Sequence, residues 1–452
     1  MPHGTVSRVR RGVVRALVCA LAPLPLPLSL TLLAPATARA QGVTAAALDG
    51  RVVFRGGAAP PPADSVHVSV VNASTGQRIT PRLQLQNGRG RFSVETVAPG
   101  GPYAVSVSAP GYASVQQTGI RLALGQRAAI TIDLEAIGGV RLAHDTATLR
   151  TVAIAAERSP LLSRSRTGPE ATVTDSAIRR LPVLSRDLVE LVQLAPQLVG
   201  TLAAGGSTRA NDILVDGAAN TDVFALSRGT GAPGGQVGAR SIPLDAVREF
   251  QVLLAPFDVR HGSFTGAEIS AVTRSGTNAF HGTLFGFLQN QSLVGTDAAG
   301  RRPAHFTSAS YGGTLGGPII RDRLHFFGAA ELKRRTTPYA GPLVGVTPNV
   351  GISADSATRF IALLRGYGLA PGTTGAYTTR NEGTNVFGKL SAPTGRSGQA
   401  EWSVNYAKGE VTDTLAPPRV AGGDYRLTSA GFAPVSTQWS TRLRWKIGRA
   451  HV

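Results

Sequence analysis

Val435-Ser436-Thr437-Gln438-Trp439-Ser440-Thr441-Arg442-Leu443-Arg444-Trp445-Lys446 decides the fold class. Val435, Thr437, Trp439, Thr441, Leu443 and Trp445 fall on one face of an extended chain, and Ser436, Gln438, Ser440, Arg442, Arg444 and Lys446 on the other. A period of two is the signature of a β-strand. Its length is about that of a tilted membrane strand with an apolar lipid face and a polar lumen face. A two-layer sheet in water alternates in the same way, so period alone does not choose between them. The tryptophans favour the membrane strand: Trp402, Trp439 and Trp445 all lie in this region, as an interfacial girdle requires. Upstream, Gln399–Tyr406 repeats the pattern, with Trp402, Val404 and Tyr406 opposed to Glu401, Ser403 and Asn405. From Phe280 onward the chain reads as long strands joined by short turns.

Composition narrows the class. With 452 residues, three domains are expected at about 150 residues each. Gly (54) and Pro (29) are too few for a collagen-like or wholly disordered chain. A mean hydropathy of +0.04 excludes a polytopic helical membrane protein. The formal charge of +19 resembles a nucleic-acid signal, but only four of the 46 basic residues are Lys and the arginines are scattered, so nucleic acid is not expected as a partner. Residues 1–40 read as a secretory signal peptide: Arg8, Arg10, Arg11 and Arg15, an apolar run from Ala16 to Leu33 broken by Pro23, Pro25 and Pro27, then Ala38-Arg39-Ala40 before Gln41. The single cysteine, Cys19, lies inside it, which excludes a disulfide scaffold and a cysteine metal site. No later stretch offers the ~18 uninterrupted apolar residues of a spanning helix, so entry into a membrane would require a closed barrel.

Residues 41–136 predict an all-β sandwich. Ser65–Val71, Tyr103–Ser108 and Ala129–Leu134 alternate, separated by Gly56-Gly57, Pro60–Pro62, Asn87-Gly88 and Pro99-Gly100-Gly101 as turns. Gly50-Arg51-Val52-Val53, Asn87–Phe92 and Pro102–Tyr112 resemble the carboxypeptidase regulatory-like domain, which implies a non-catalytic, prealbumin-like sandwich. Zinc peptidase chemistry is not expected, because no His-Glu-x-x-His occurs.

Residues 137–171 read as a linker, within which Thr151-Val152-Ala153-Ile154-Ala155 is a short extended segment. Residues 172–278 resemble the plug domain of TonB-dependent outer-membrane receptors, in their Oar-like branch, whose members carry the regulatory-like domain in front. The resemblance rests on Asp175–Pro182, on Ser185–Pro196 (where Leu188, Leu191 and Val192 share a helical face), on Arg209–Asp222, and on Pro243–Val252 continuing to Thr273–Asn278. It implies that Thr151–Ala155 is a candidate TonB box, able to add as a strand to a periplasmic partner. Asp216-Gly217 reads as a turn, with Asn220 and Asp222 beside it. Ser275-Gly276-Thr277-Asn278 reads as the hinge from plug to barrel. Two nucleotide-like patterns fail on context: Gly229–Gly234 has Pro233 where a helix should begin, and Gly383–Lys389 is followed by Leu390 where a phosphate loop needs Ser or Thr.

Gly312–Ile320 with Asp322–Gly328 resembles the family's barrel entry, Asp322 marking a short periplasmic turn. After Asn278 only 174 residues remain (452 minus 278). Against the ~22 strands of a plugged transporter, this predicts residues 279–452 to be the N-terminal part of a barrel, with 447–452 artefactual. The expected chain is therefore mainly β: a sandwich, an α+β plug, and the first strands of an incomplete antiparallel transmembrane barrel. The resemblance implies a transporter of a Gram-negative outer membrane, with TonB and its inner-membrane energising complex, outer-membrane lipid and an external solute of unknown identity as partners. It implies no catalytic residue, cofactor or metal. A secreted adhesion or carbohydrate-binding β-protein is the alternative.

Overall fold

The computed structural model describes residues 44–137, 150–153, 170–180, 210–222, 232–254, 261–338, 352–372, 378–412 and 433–446, with breaks at 57–60, 87, 263 and 395–397, and isolated positions elsewhere. Residues 1–40 and 447–452, and most of the helix expected over Ser185–Pro196, lie outside them. Among the described residues no helix is long and apolar enough to cross a membrane.

The first body is a sandwich of two sheets. One has the order β4-β5-β1-β8, from β1 (Ala46–Arg55), β4 (Gln84–Gln86), β5 (Arg89–Val97) and β8 (Arg127–Glu135). The other has the order β3-β2-β6-β7-β9, from β2 (His67–Asn72), β3 (Arg78–Ile79), β6 (Gly100–Ser108), β7 (Val115–Leu122) and β9 (Arg150–Ala153). The alternation points inward: Val52, Phe92, Val105, Ile132 and Leu134 share one core, while Asp133 and Glu135 face water. Gly100 and Gly101, expected as a turn, instead begin β6. Their positive φ angles, 100° and 115°, bend the strand's start and shift its register against β7. β9 pairs in parallel with β7, Val115 opposite Arg150 through Thr118 opposite Ala153. The linker strand is thus an added edge of the sandwich.

The second body is a mixed sheet ordered β10-β15-β16-β13-β14. It comprises β10 (Glu170–Val173), β13 (Asp212–Val215), β14 (Ala218–Ala219), β15 (Val247–Leu254) and β16 (Ala267–Thr273), with helix α1 (Asp175–Arg180); β11 (Leu198–Val199) and β12 (Leu202–Ala203) form a separate hairpin. Every residue of β16 is buried. A strand sandwiched on both faces has no polar side to show.

The third body is a meander of long antiparallel strands: β17 (His281–Asn290), β18 (Thr307–Ile320), β19 (Leu324–Pro338), β20 (Thr378–Thr394), β21 (Gly398–Thr412) and β22 (Val435–Lys446). Among the described residues the sheet does not close on itself. Its alternation is inverted. Leu284, Trp439, Leu443 and Trp445 are exposed on the outer face, Leu443 at 82%. Glu331, Asn385, Lys389, Glu401, Ser403 and Asn405 are buried on the inner face, against the central sheet. A short turn joins β18 to β19, and β20 and β21 lie close together in the chain at the same end. At the other end the strands are far apart in the chain, and helix α2 (Ala354–Gly366) falls between β19 and β20.

Candidate functional site

The site is the seam between the second body's sheet, the central sheet, and the inner face of the β17–β22 meander, the wall. It starts from the Asp216-Gly217 turn. Both residues have positive φ, 51° and 79°, and they join Val215 to Ala218 as a two-residue hairpin. Gly takes that conformation freely, and Asp is one of the few other residues that tolerates it. The tight turn carries the Asp216 carboxylate to Thr273 at the end of β16. Its Oδ1 accepts from the Thr273 amide at 3.0 Å and its Oδ2 from the Thr273 hydroxyl at 2.6 Å.

The wall answers with charge. Lys389 Nζ, on β20, donates to Thr273 Oγ1 at 3.0 Å and lies 3.6 Å from Asp216 Oδ2 and 3.4 Å from Glu401 Oε2. Arg444, on β22, pairs with Glu401 and donates through Nη1 to the Asp216 carbonyl at 3.2 Å. The Asp216 carboxylate is almost wholly buried. Burial alone would raise its pKa, but Lys389, Arg444 and the two Thr273 donors outweigh it and hold the group at about 2.

A second cluster lies along the same seam. Glu331, on β19, pairs with Arg240 and lies 3.6 Å from Arg186 Nε; Arg186 also bonds Asp245 at 2.6 Å. The Arg186 guanidinium sits 3.9 Å from the Phe285 ring centroid and 5.0 Å from that of Phe287 on β17. Between the clusters, wall amides donate to central-unit oxygens: Asn381 to Val237 O, Asn385 to Arg240 O, Asn405 to Ser241 O, and Gln438 to Asn220 Oδ1, at 2.6–3.0 Å. One apolar anchor joins them: Phe327 and Phe387 point inward and pack into the central core.

The turn thus brings Asp216 and Asn220 to the wall, with Thr221 beside them bonding Asp212 at 2.5 Å and the Ile213 amide at 2.9 Å. Among the described residues no group of three His, Cys, Asp or Glu side chains could hold a metal ion. At the bend expected as a hinge, Asn278 ties the chain to the β18–β19 turn: its Oδ1 accepts from the Asp322 amide and meets His325 Nε2, both at 2.9 Å, and its Nδ2 donates to Asp322 Oδ1 at 2.6 Å. At Gly276 a Cβ would overlap the Phe326 and Gly317 carbonyls. Thr277 bonds Ala279 within the same bend, and Ser275 lies beside it. In the candidate box, Thr151, Val152 and Ala153 are in β9; Ile154 and Ala155 lie outside the described residues.

Sequence reading placed Glu401 and Arg444 on a polar face but not in a charge network, and met Lys389 only inside a failed phosphate-loop pattern. The available signal was its rarity: one of only four lysines, at an inward position of an alternating strand.

The family described as "Outer membrane beta barrel domain" matches residues 272–450, and "Carboxypeptidase regulatory-like domain" matches residues 47–135. The TonB-dependent transporter Oar of Myxococcus xanthus is 24% identical over 392 residues. The chain is a homologue of that TonB-dependent transporter. The similarity covers 77% of this chain and 34% of Oar, so the chain spans about a third of its relative's length. Among solved structures, the siderophore receptor PirA of Acinetobacter baumannii aligns over 58% of this chain and 33% of its own, at 18% identity and a TM-score of 0.38. The outer membrane transporter YddB of Escherichia coli aligns over 55% and 34%, at 13% identity and a TM-score of 0.39.

Proposed function

We propose that this chain forms the periplasmic domain, the plug and the first wall strands of a TonB-dependent transporter in a Gram-negative outer membrane, exported by a signal peptide over residues 1–40. The observation that carries this reading is the seam. A wall apolar outside and charged inside is what lipid on one face and a polar filling on the other require. The central sheet, as plug, meets it mainly through ion pairs and amide hydrogen bonds. Asn385, Asn405 and Gln438 keep buried side-chain oxygens without a protein partner among the described residues, and such oxygens are the usual seats of bridging water. A polar, hydrated seam can separate and re-form with less loss than a packed apolar one.

In this reading the complete wall closes as a barrel of about 22 strands. The short turns face the periplasm and the long connections face outward, where an external solute is captured. TonB, driven by its inner-membrane complex, recruits Thr151–Ala155 as an added strand and pulls the plug. The chain's residues bind and move and make no covalent bond, so no catalytic group or cofactor is assigned.

The test is deletion of Arg150–Ala155 from the complete receptor. Heat-modifiable migration in SDS gels should persist, while retention of the receptor by the purified periplasmic domain of TonB should be lost. A receptor that never shows heat-modifiable migration would refute the barrel. Undiminished retention after the deletion would refute the box.

A further inference from the structure

The sandwich touches both of the bodies that opening would have to part. Toward the plug, the Leu124 amide donates to Oε1 of Glu249, a buried carboxylate, at 2.9 Å. Gly100 lies against the Arg248 guanidinium, which a Cβ there would overlap. The Ser74 carbonyl accepts from the Asn278 amide at 2.9 Å, at the hinge itself. Toward the wall, Gly76, with φ +72°, lies under the Asp322 carboxylate in the β18–β19 turn, again with no room for a Cβ. Gln77 Nε2 donates to the Gly398 carbonyl beside the β20–β21 turn at 3.2 Å. At two points of contact, therefore, a glycine of positive φ lets a charged side chain of plug or wall sit on the sandwich backbone.

These contacts border an open cavity. It measures about 170 Å³ and lies between the three bodies, lined by Asn72 and Ser74 of the sandwich, Arg248 and Thr273 of the plug, and Lys389 and Glu401 of the wall. Lys389 and Glu401 of the seam cluster therefore line an open cavity whose other side is the sandwich. β9 lies on the same body: it pairs with the first half of β7, whose far end leads through Leu122 to the Glu249 contact at Leu124.

We propose that the sandwich is a latch, closed across the short-turn mouth of the barrel and clamped to plug and wall together, which must lift before the plug can move. The proposal rests on the transporter reading above and adds a step to it. A partner that captures β9 takes that strand from the edge of β7, and so acts on the latch before it acts on the plug.

Single-molecule pulling on the complete receptor in outer-membrane vesicles, through a handle on Ala155→Cys, tests this. Two ruptures are expected, a weaker one for the latch and a stronger one for the plug. Asp322→Gly combined with Gln77→Ala removes the wall-side clamp. Gly accepts the positive φ of 61° at position 322, so the turn survives. The double variant should lower the first rupture force at least twofold, with the second, resisted by the seam ion pairs, still the stronger of the two. A single rupture in both proteins, or a first rupture indifferent to the double variant, would overturn the latch and leave the transporter reading standing. Absence of any plug rupture would remove both.

Discussion

β8 of the sandwich and β22 of the wall share a period and differ in sign. In β8, Ala128, Ile130, Ile132 and Leu134 point to the core, while Arg127, Asp133 and Glu135 point to water. In β22, Trp439, Leu443 and Trp445 point out, while Gln438 and Arg444 point in to bond Asn220 and Asp216. A period of two says only that the two faces differ. Which face is inside depends on the solvent: water rewards an apolar interior, and lipid an apolar exterior.

Substitutions that ignore this sign should be the most damaging. Val105→Asp places a carboxylate in the fully buried sandwich core. It should cost on the order of 4 kcal/mol or more, read as early loss of the sandwich in urea or limited proteolysis while heat-modifiable migration of the wall persists. Lys389→Met attacks the inverted interior, leaving Asp216 and Glu401 buried with Arg444 in place of two cations. About 3–5 kcal/mol is expected from breaking a buried pair on one side, seen as a lower temperature for loss of the SDS-resistant band. Leu443→Arg puts a charge on the lipid face beside the Trp445 girdle and should cost roughly 1–2 kcal/mol, between the interfacial and midplane values, measured by urea titration of folding into vesicles.

The two regions also differ in how legible they were. The sandwich strands and the alternation of β21 and β22 could be read directly, because each residue's side follows from its neighbours. The tryptophans and the family resemblance supplied the sign. The seam could not be read, because it joins residues far apart in the chain: Asp216 meets Lys389 and Arg444 only after β13, β20 and β22 are placed. The turn was legible as a turn, since Asp-Gly permits positive φ, but nothing local says that its carboxylate is buried. β9 was legible as extended, and its partner strand was not.

Acidity gives a comparable and separable effect. The Asp216 carboxyl titrates lower in the folded protein, at about 2, than in an unfolded chain, at about 3.9. Its contribution is therefore present above pH 4 and disappears as the pH falls toward 2. It amounts to roughly 2 kcal/mol. Asp216→Asn should flatten that acid limb in a pH series of thermal unfolding. Smallest of all, Arg127→Ala breaks an exposed cluster with Asp49 and Glu95 and should change sandwich stability by at most about 1 kcal/mol.

The inverted sign of the wall is the central claim, and a nitroxide scan through Val435–Lys446 tests it most directly. Each position in turn is changed to cysteine and labelled in the complete receptor in outer-membrane vesicles. Odd-numbered positions should be relaxed by oxygen dissolved in lipid and shielded from a water-soluble nickel chelate, and even-numbered positions should be shielded from oxygen. Equal chelate access on both faces would contradict the account, and the sheet would then be one that stands in water.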